Sequence, residues 1–273
     1  MNNLQKIKKF NKIAEDIKSI KIQGARNIAK SALYAYKLIK TPEAKKKLIN
    51  LRPTEPMLVN VLNRLDDKKQ TYKKILKHFD EAQGKINKYV FSLVEDKQLI
   101  FTHCHSTNVI NALAYAKKHG KNFQVINTET RPLFQGRKTA RELRKNKIKV
   151  TMVIDSAAMI AITRGKGNLQ VDKVFFGADA ILNKGVVNKI GSGMFAQIAK
   201  DNNVPVYIIA DSWKYSPENV KIEERDFNEV WNTIPKKIKV LNPAFEFIPK
   251  RNIKAIVSEY GILSYNKFLK KVK

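Results

Sequence analysis

The chain has 273 residues, 43% apolar and 28% charged, with 53 Lys+Arg against 24 Asp+Glu for a formal net charge of +29. The apolar share excludes a disordered polycation, and a single Cys excludes a disulfide scaffold or an all-Cys metal site within the chain. The charge invites a nucleic-acid reading, but Lys outnumbers Arg 43 to 10, the excess is spread along the chain, and no zinc-finger or RNP-type motif accompanies it.

The excess charge therefore reads as solvated surface, and no specific nucleic acid is expected as a partner. No apolar run reaches the roughly 18–20 residues that a membrane helix needs. No membrane partner is expected, and the location expected is cytoplasmic.

The first part of the chain carries a helical period. Leu4, Ile7, Ile13, Ile17 and Ile20 recur at helical spacings over 4–20, with Lys on the other face. Such a basic amphipathic segment can be a targeting or membrane-surface element. Glu15 and Asp16 lie inside it, which favours a bundle helix. A second helix is predicted over 23–40. Thr41-Pro42-Glu43 starts a third, with a capping hydroxyl and Pro at the first position. Thr54-Glu55-Pro56 opens a fourth that runs through Leu65, and 67–94 reads as one long Lys-rich helix. An all-helical domain over 1–95 follows.

From residue 98 the pattern changes. Short apolar runs appear at Leu99–Thr102, Phe123–Asn127, Val150–Ile154, Val174–Phe176, Val206–Ala210 and Ile253–Val257. Helical stretches at 107–119, 137–146, 156–163 and 191–202 lie between several of them. Strands alternating with short helices predict βαβ units. The fold class expected is α/β, with a Rossmann-like, doubly wound, mostly parallel sheet over 96–273.

Ligands of such sheets sit at the carboxyl ends of the strands, and the residues there are polar and reactive. Cys104 follows the first run, between His103 and His105, just before a helix capped by Ser106 or Thr107. A helix N-terminus or an imidazolium lowers a thiol's pKa, whereas burial leaves a Cys inert. Both readings stand on the sequence alone. Two His without a third ligand at suitable spacing do not make a metal site. Asp179 follows Val174–Ala178, where partial desolvation suits a carboxyl to acid–base work. The other reading for Asp179 is a loop cap. For Asp155, Ser156 beside it makes helix capping the better explanation. Asn188-Lys189-Ile190-Gly191-Ser192-Gly193 is a small-residue turn opening a helix, suited to holding a phosphate. It also fits a plain loop-to-helix turn. Lys214 and Arg52 lie beside Pro-containing turns.

Seven segments, in order, carry a resemblance over about residues 20–263. They are Gln23–Ala29, Leu51-Arg52-Pro53-Thr54, Thr102–Ser106, Thr128-Glu129-Thr130-Arg131-Pro132 with Gln135-Gly136, Gly177-Ala178-Asp179, Asn188–Gly191, and Asn242–Phe245 with Ser258-Glu259-Tyr260-Gly261. On these the chain resembles the initiation-factor-2B-like sugar-phosphate isomerases. Isomerases of that family carry the Cys104 and Asp179 equivalents, whereas its regulatory translation-factor subunits generally lack the pair. The continuation of Cys104 as His-Ser-Thr resembles the archaeal branch acting on ribose 1,5-bisphosphate more than the methylthioribose 1-phosphate branch.

The resemblance implies an aldose–ketose isomerase making ribulose 1,5-bisphosphate in nucleoside-monophosphate breakdown. Cys104 and Asp179 are its implied catalytic pair. No cofactor and no metal are implied. The implied substrate-binding residues are Gln23, Gly24, Ala25, Arg26, Arg52, Ser106, Thr107, Asn108, Asn188, Lys189 and Lys214. A homo-oligomer built from dimers is the implied assembly. The family usually has Arg where Gln23 stands, which removes a bidentate phosphate ligand. Arg26, one helical turn on, is the candidate replacement. The competing expectations are a regulatory subunit of the initiation factor 2B type and a methylthioribose 1-phosphate isomerase.

Overall fold

The computed structural model describes residues 1–67, 69–163, 165 and 167–273. Five helices precede the first strand: α1 (Asn3–Lys18), α2 (Ala25–Leu38), α3 (Pro42–Ile49), α4 (Pro56–Arg64) and α5 (Tyr72–Leu93). Hydroxyl caps set two of the starts. Thr41 Oγ1 accepts from Ala44 N at 3.2 Å and Thr71 Oγ1 from Lys74 N at 3.2 Å. The long helix therefore begins at Tyr72, later than the 67 read from its apolar period, because the cap decides the boundary and the period does not.

These helices bury a common core of Phe10, Ile17, Ile28, Leu33, Leu48, Leu58 and Phe79. A buried Leu, Ile or Phe contributes roughly 1.5–3 kcal/mol. The second half of α5 packs elsewhere: Ile86 and Val90 join Val109, Leu113 and Phe175 beside the large sheet.

The large sheet has seven strands: β1 (Leu99–Thr102), β2 (Gln124–Thr128), β3 (Lys149–Val153), β4 (Lys173–Phe176), β7 (Val206–Ile209), β9 (Ala255–Ser258) and β10 (Gly261–Leu263). Their order is β10-β9-β7-β4-β1-β2-β3. All pairings are parallel except β10 on β9. The central strands are buried on both faces, which is why they read as continuous apolar runs. Helices α6 (Thr107–Lys118), α7 (Gln135–Lys145), α8 (Ala158–Ile162) and α9 (Ser192–Asp201) connect them, and α10 (Tyr265–Val272) closes the chain. This is the mostly parallel, doubly wound sheet expected from the sequence. No helix among the described residues is long and apolar enough to cross a membrane.

A second, antiparallel sheet was not anticipated. It consists of β5 (Ala180–Ile181), β6 (Gly185–Lys189) and β8 (Phe245–Pro249), in the order β5-β6-β8. Its register pairs Lys189 with Phe245, far apart in sequence.

Strand order reverses between β1 and β4. The chain leaves β1 towards β2 and β3 on one side, then returns to lay β4 against β1's other edge. A crevice opens at such a switch point, at the carboxyl ends of the two strands. Cys104 follows β1 and Asp179 follows β4.

Candidate active site

The two strand ends are held close by a tight approach. A Cβ placed on Gly177 would lie 2.5 Å from Ser106 Oγ, so the exit of β4 runs directly against the start of α6. Ser106 caps that helix, its Oγ accepting from Val109 N at 3.5 Å.

Cys104 sits in the left-handed region at φ 65°, a conformation a non-Gly residue keeps only when its surroundings hold it. Two threonines do so. Cys104 N donates to Thr130 Oγ1 at 3.0 Å and Thr139 Oγ1 donates to Cys104 O at 2.7 Å. Thr130 is fixed in turn, its N–H donating to Asp155 Oδ1 at 2.8 Å, while Arg131 N donates to Asp155 Oδ2 at 2.6 Å. Asp155 thus ties down the loop after β2, and does not cap its own helix as its neighbour Ser156 suggested.

His103 is buried at 2% exposure. Its Nε2 donates to Ile190 O at 2.8 Å, so Nδ1 accepts, from Thr128 Oγ1 at 2.5 Å. It anchors the end of β1 to the turn after Lys189. Burial pushes its pKa down to about 4, and burial with Lys138 nearby does the same for His105. Both rings are neutral near pH 7, so no imidazolium stands beside the thiol.

The Cys104 pKa moves in the opposite direction from a helix-terminus thiolate. Burial raises it to about 11, with Lys189 opposing. Desolvation outweighs the helix end, and Cys104 carries its proton near pH 7. Alkylation by iodoacetamide is therefore expected to run roughly 100-fold below a free thiol at pH 8 and to keep rising beyond pH 10. The chain's single Cys makes the measurement unambiguous. A plateau near pH 8 would contradict this picture.

Asp179 is likewise pushed above the usual carboxylate range by burial, against the pull of Lys214, Lys189 and Arg52. These cations come from separate elements. Lys189 ends β6, and its Nζ lies 4.7 Å from the Phe245 ring centroid. Lys214, 7% exposed, donates from Nζ to Ala178 O at 2.5 Å. Arg52 arrives from the helical part, where Asn60 on α4 donates to Trp213 O and Tyr215 O, both at 2.8 Å.

Two adjoining hollows open here, and both are lined by Gly24, Cys104, His105, Thr107, Asp179, Lys189 and Phe245. Gln23 and Arg52 line the first; Ala25, Arg26, Ser106, Asn108, Asn188 and Lys214 line the second. Every catalytic and substrate-binding residue implied by the resemblance therefore borders these hollows. Helices α2 and α6 both point their N-termini into it through Gly24-Ala25 and Ser106-Thr107, an arrangement that favours anions.

Not every candidate offers a free side chain. Arg26 is taken up by an ion pair with Asp80. Asn108 Nδ2 donates to Gln83 Oε1 at 2.9 Å, and Asn188 Nδ2 to Ser192 Oγ at 2.8 Å. Arg52 Nε donates to Glu223 Oε1 at 2.9 Å. Glu55, Glu223, Arg225, Glu229 and Lys138 also line the first hollow, and sequence reading missed them. The three from 223–229 lie on a long segment without regular strands, and nothing local marks it as reaching the cleft.

The one group of His, Cys, Asp or Glu with metal-like spacing among the described residues is His78, Asp211 and Glu259. It lies outside the residues lining either hollow and is internally bonded: His78 Nε2 is 3.1 Å from Asp211 Oδ1, and Ser212 N donates to Glu259 Oε2 at 3.1 Å.

A sequence profile described as the Initiation factor 2 subunit family matches residues 39–265. Ribose 1,5-bisphosphate isomerase of Thermococcus kodakarensis is 35% identical over 94% of this chain and 91% of its own length. Methylthioribose-1-phosphate isomerase of Thermosipho melanesiensis is 31% identical over 97% of this chain and 90% of its own. Among solved structures, translation initiation factor eIF-2B of Pyrococcus horikoshii OT3 superposes with a TM-score of 0.80, at 24% identity, over 93% of this chain and 96% of that one.

Proposed function

The chain belongs to the initiation factor 2 subunit family, and from that premise we propose that it isomerises ribose 1,5-bisphosphate to ribulose 1,5-bisphosphate. The observation that carries this is the pairing of Cys104 and Asp179 across the β1/β4 switch point, in a cleft ringed by Arg52, Lys189, Lys214 and two helix N-termini. Two phosphates on a small sugar match that distribution of positive ends.

The chemistry explains the pair. A phosphate ester on C1 keeps the sugar ring from opening as a free aldose does. Conversion to the 2-ketose breaks the bond between C1 and the ring oxygen. The ring oxygen gains a proton, a hydrogen passes from C2 to C1, and the C2 hydroxyl loses its proton. One proton is given and one taken, so an acid and a base suffice. Cys104 holds its proton near pH 7 and enters as the acid partner. Asp179, whose carboxylate is made more basic by burial against the pull of three cations, enters as the base partner. Lys189, Lys214, Arg52 and the N–H groups at 24–26 and 106–108 hold the phosphates. Gln23, Arg26, Asn108 and Asn188 shape the wall around them. The assembly that goes with this reading is a cytoplasmic homo-oligomer.

The methylthioribose 1-phosphate reaction needs the same acid–base pair, and relatives of both kinds match the chain. The cation count favours the bisphosphate. A coupled assay on both substrates tests it. A higher kcat/KM for ribose 1,5-bisphosphate is expected; preference for methylthioribose 1-phosphate would reverse the assignment, and inactivity on both would return the chain to a regulatory role.

A further inference from the structure

Glu55 lines the cleft, yet the catalysis above gives it no task. It stands just before α4, where a Ser, Thr, Asp or Asn side chain ordinarily turns back to accept an N–H of the first helical turn. Thr41 and Thr71 do so at the starts of α3 and α5, but Glu55 makes no such bond. Its side chain, 2% exposed, turns to the cleft wall. Oε1 lies 3.8 Å from Arg52. Oε2 is buried without a hydrogen-bond partner, and among the described residues no other acid is so placed. A buried carboxyl oxygen left unbonded is costly, and a sugar hydroxyl would satisfy it.

Resting on the sugar-phosphate reading of the cleft, we propose that Glu55 is a specificity residue that binds substrate in its neutral form. Its free oxygen takes a hydroxyl of the sugar, and its lack of charge leaves Arg52 to the phosphate. Ionised Glu55 would hold Arg52 to itself and repel the incoming dianion. The charged groups facing it are Asp179 after β4, Arg52 before α4, Lys214 after β7 and Glu223 from the 216–243 segment. Burial first, then Asp179, raise its pKa to about 8, with Arg52 and Lys214 opposing. The neutral form therefore prevails below that pH and is lost above it.

Calorimetric binding of ribose 5-phosphate at pH 7 and pH 9 tests this. The binding-competent fraction of a group with a pKa of about 8 falls roughly tenfold one unit above it. Wild-type affinity is expected to weaken by that factor. Glu55→Gln cannot ionise and should vary by less than about twofold. Glu55→Ala should bind more weakly than wild type at pH 7, because the hydroxyl loses its partner, and should weaken no further at pH 9, where it has no carboxylate to form. Equal pH dependence in wild type and Glu55→Gln would overturn the proposal. So would a Glu55→Ala affinity equal to wild type at pH 7, or no binding at either pH. Because binding is measured, loss of the expected pH effect alongside full isomerase turnover rejects this role alone. The expected binding pattern without turnover rejects only the assigned activity. Thermal melting of each variant confirms that it is folded.

Discussion

Asp179→Asn is expected to lower kcat on ribose 1,5-bisphosphate by about a hundred- to ten-thousand-fold, the range typical of a lost acid–base group, with KM little changed. The Asn keeps the size of the side chain but cannot take a proton. Cys104→Ser is expected to fall in the same range, because a hydroxyl is a far weaker acid than a thiol. The two losses should not add in the double variant, since both groups serve one proton exchange. The backbone around Cys104 should persist in the Ser variant, because Thr130 and Thr139 hold its N–H and C=O and not its sulfur. Equal turnover by wild type and either variant would remove the pair from the chemistry.

Arg52→Met is expected to cost stability as well as substrate affinity. Arg52 is 7% exposed and pairs with Glu223 at 2.9 Å and Glu55 at 3.8 Å. Removing the cation from a buried pair leaves an uncompensated charge, with a penalty of about 3–5 kcal/mol. The pH dependence has a definite sign. Glu55 is raised from 4.5 to about 8 in the folded chain. Over that window the folded state keeps a proton that the unfolded chain has released, so stability falls as pH rises. Arg52 lowers the Glu55 value, so its loss extends the window upwards. Denaturant melts should show Arg52→Met losing further stability above pH 8, where wild type levels off. A variant as stable as wild type across this range would show that the buried charges do not depend on Arg52.

The large sheet was legible because its central strands are buried on both faces and so read as short apolar runs. The small sheet was hidden for the opposite reason. Its one hairpin, β5 on β6, gives β5 only Ala180–Ile181, too short to read as a strand, and β6 finds its other partner β8 some sixty residues further on. The position of Cys104, Asp179 and Lys189 at one cleft could be anticipated because a parallel sheet places its crevice at the carboxyl ends of its strands. The Glu223 contact to Arg52 spans 171 positions, and no local pattern encodes it. Helix capping misled at Asp155, where tertiary demand from the loop after β2 outweighed the local preference. The thiol's protonation stayed open between two readings for a similar reason, since burial cannot be weighed from the neighbours in sequence alone.

The excess of positive charge takes a different meaning in the cleft. There Arg52, Lys189 and Lys214 face Glu55, Asp179 and Glu223. These three cations stand among carboxyl groups, and the remainder of the +29 is spread along the chain.

The most direct measurement is NMR of the purified protein with ribose 1,5-bisphosphate labelled with carbon-13 at C2. The account predicts that the C2 signal moves from the alcohol to the ketone region with wild-type protein and stays in place with Asp179→Asn. An unchanged C2 signal with folded wild-type protein would contradict it.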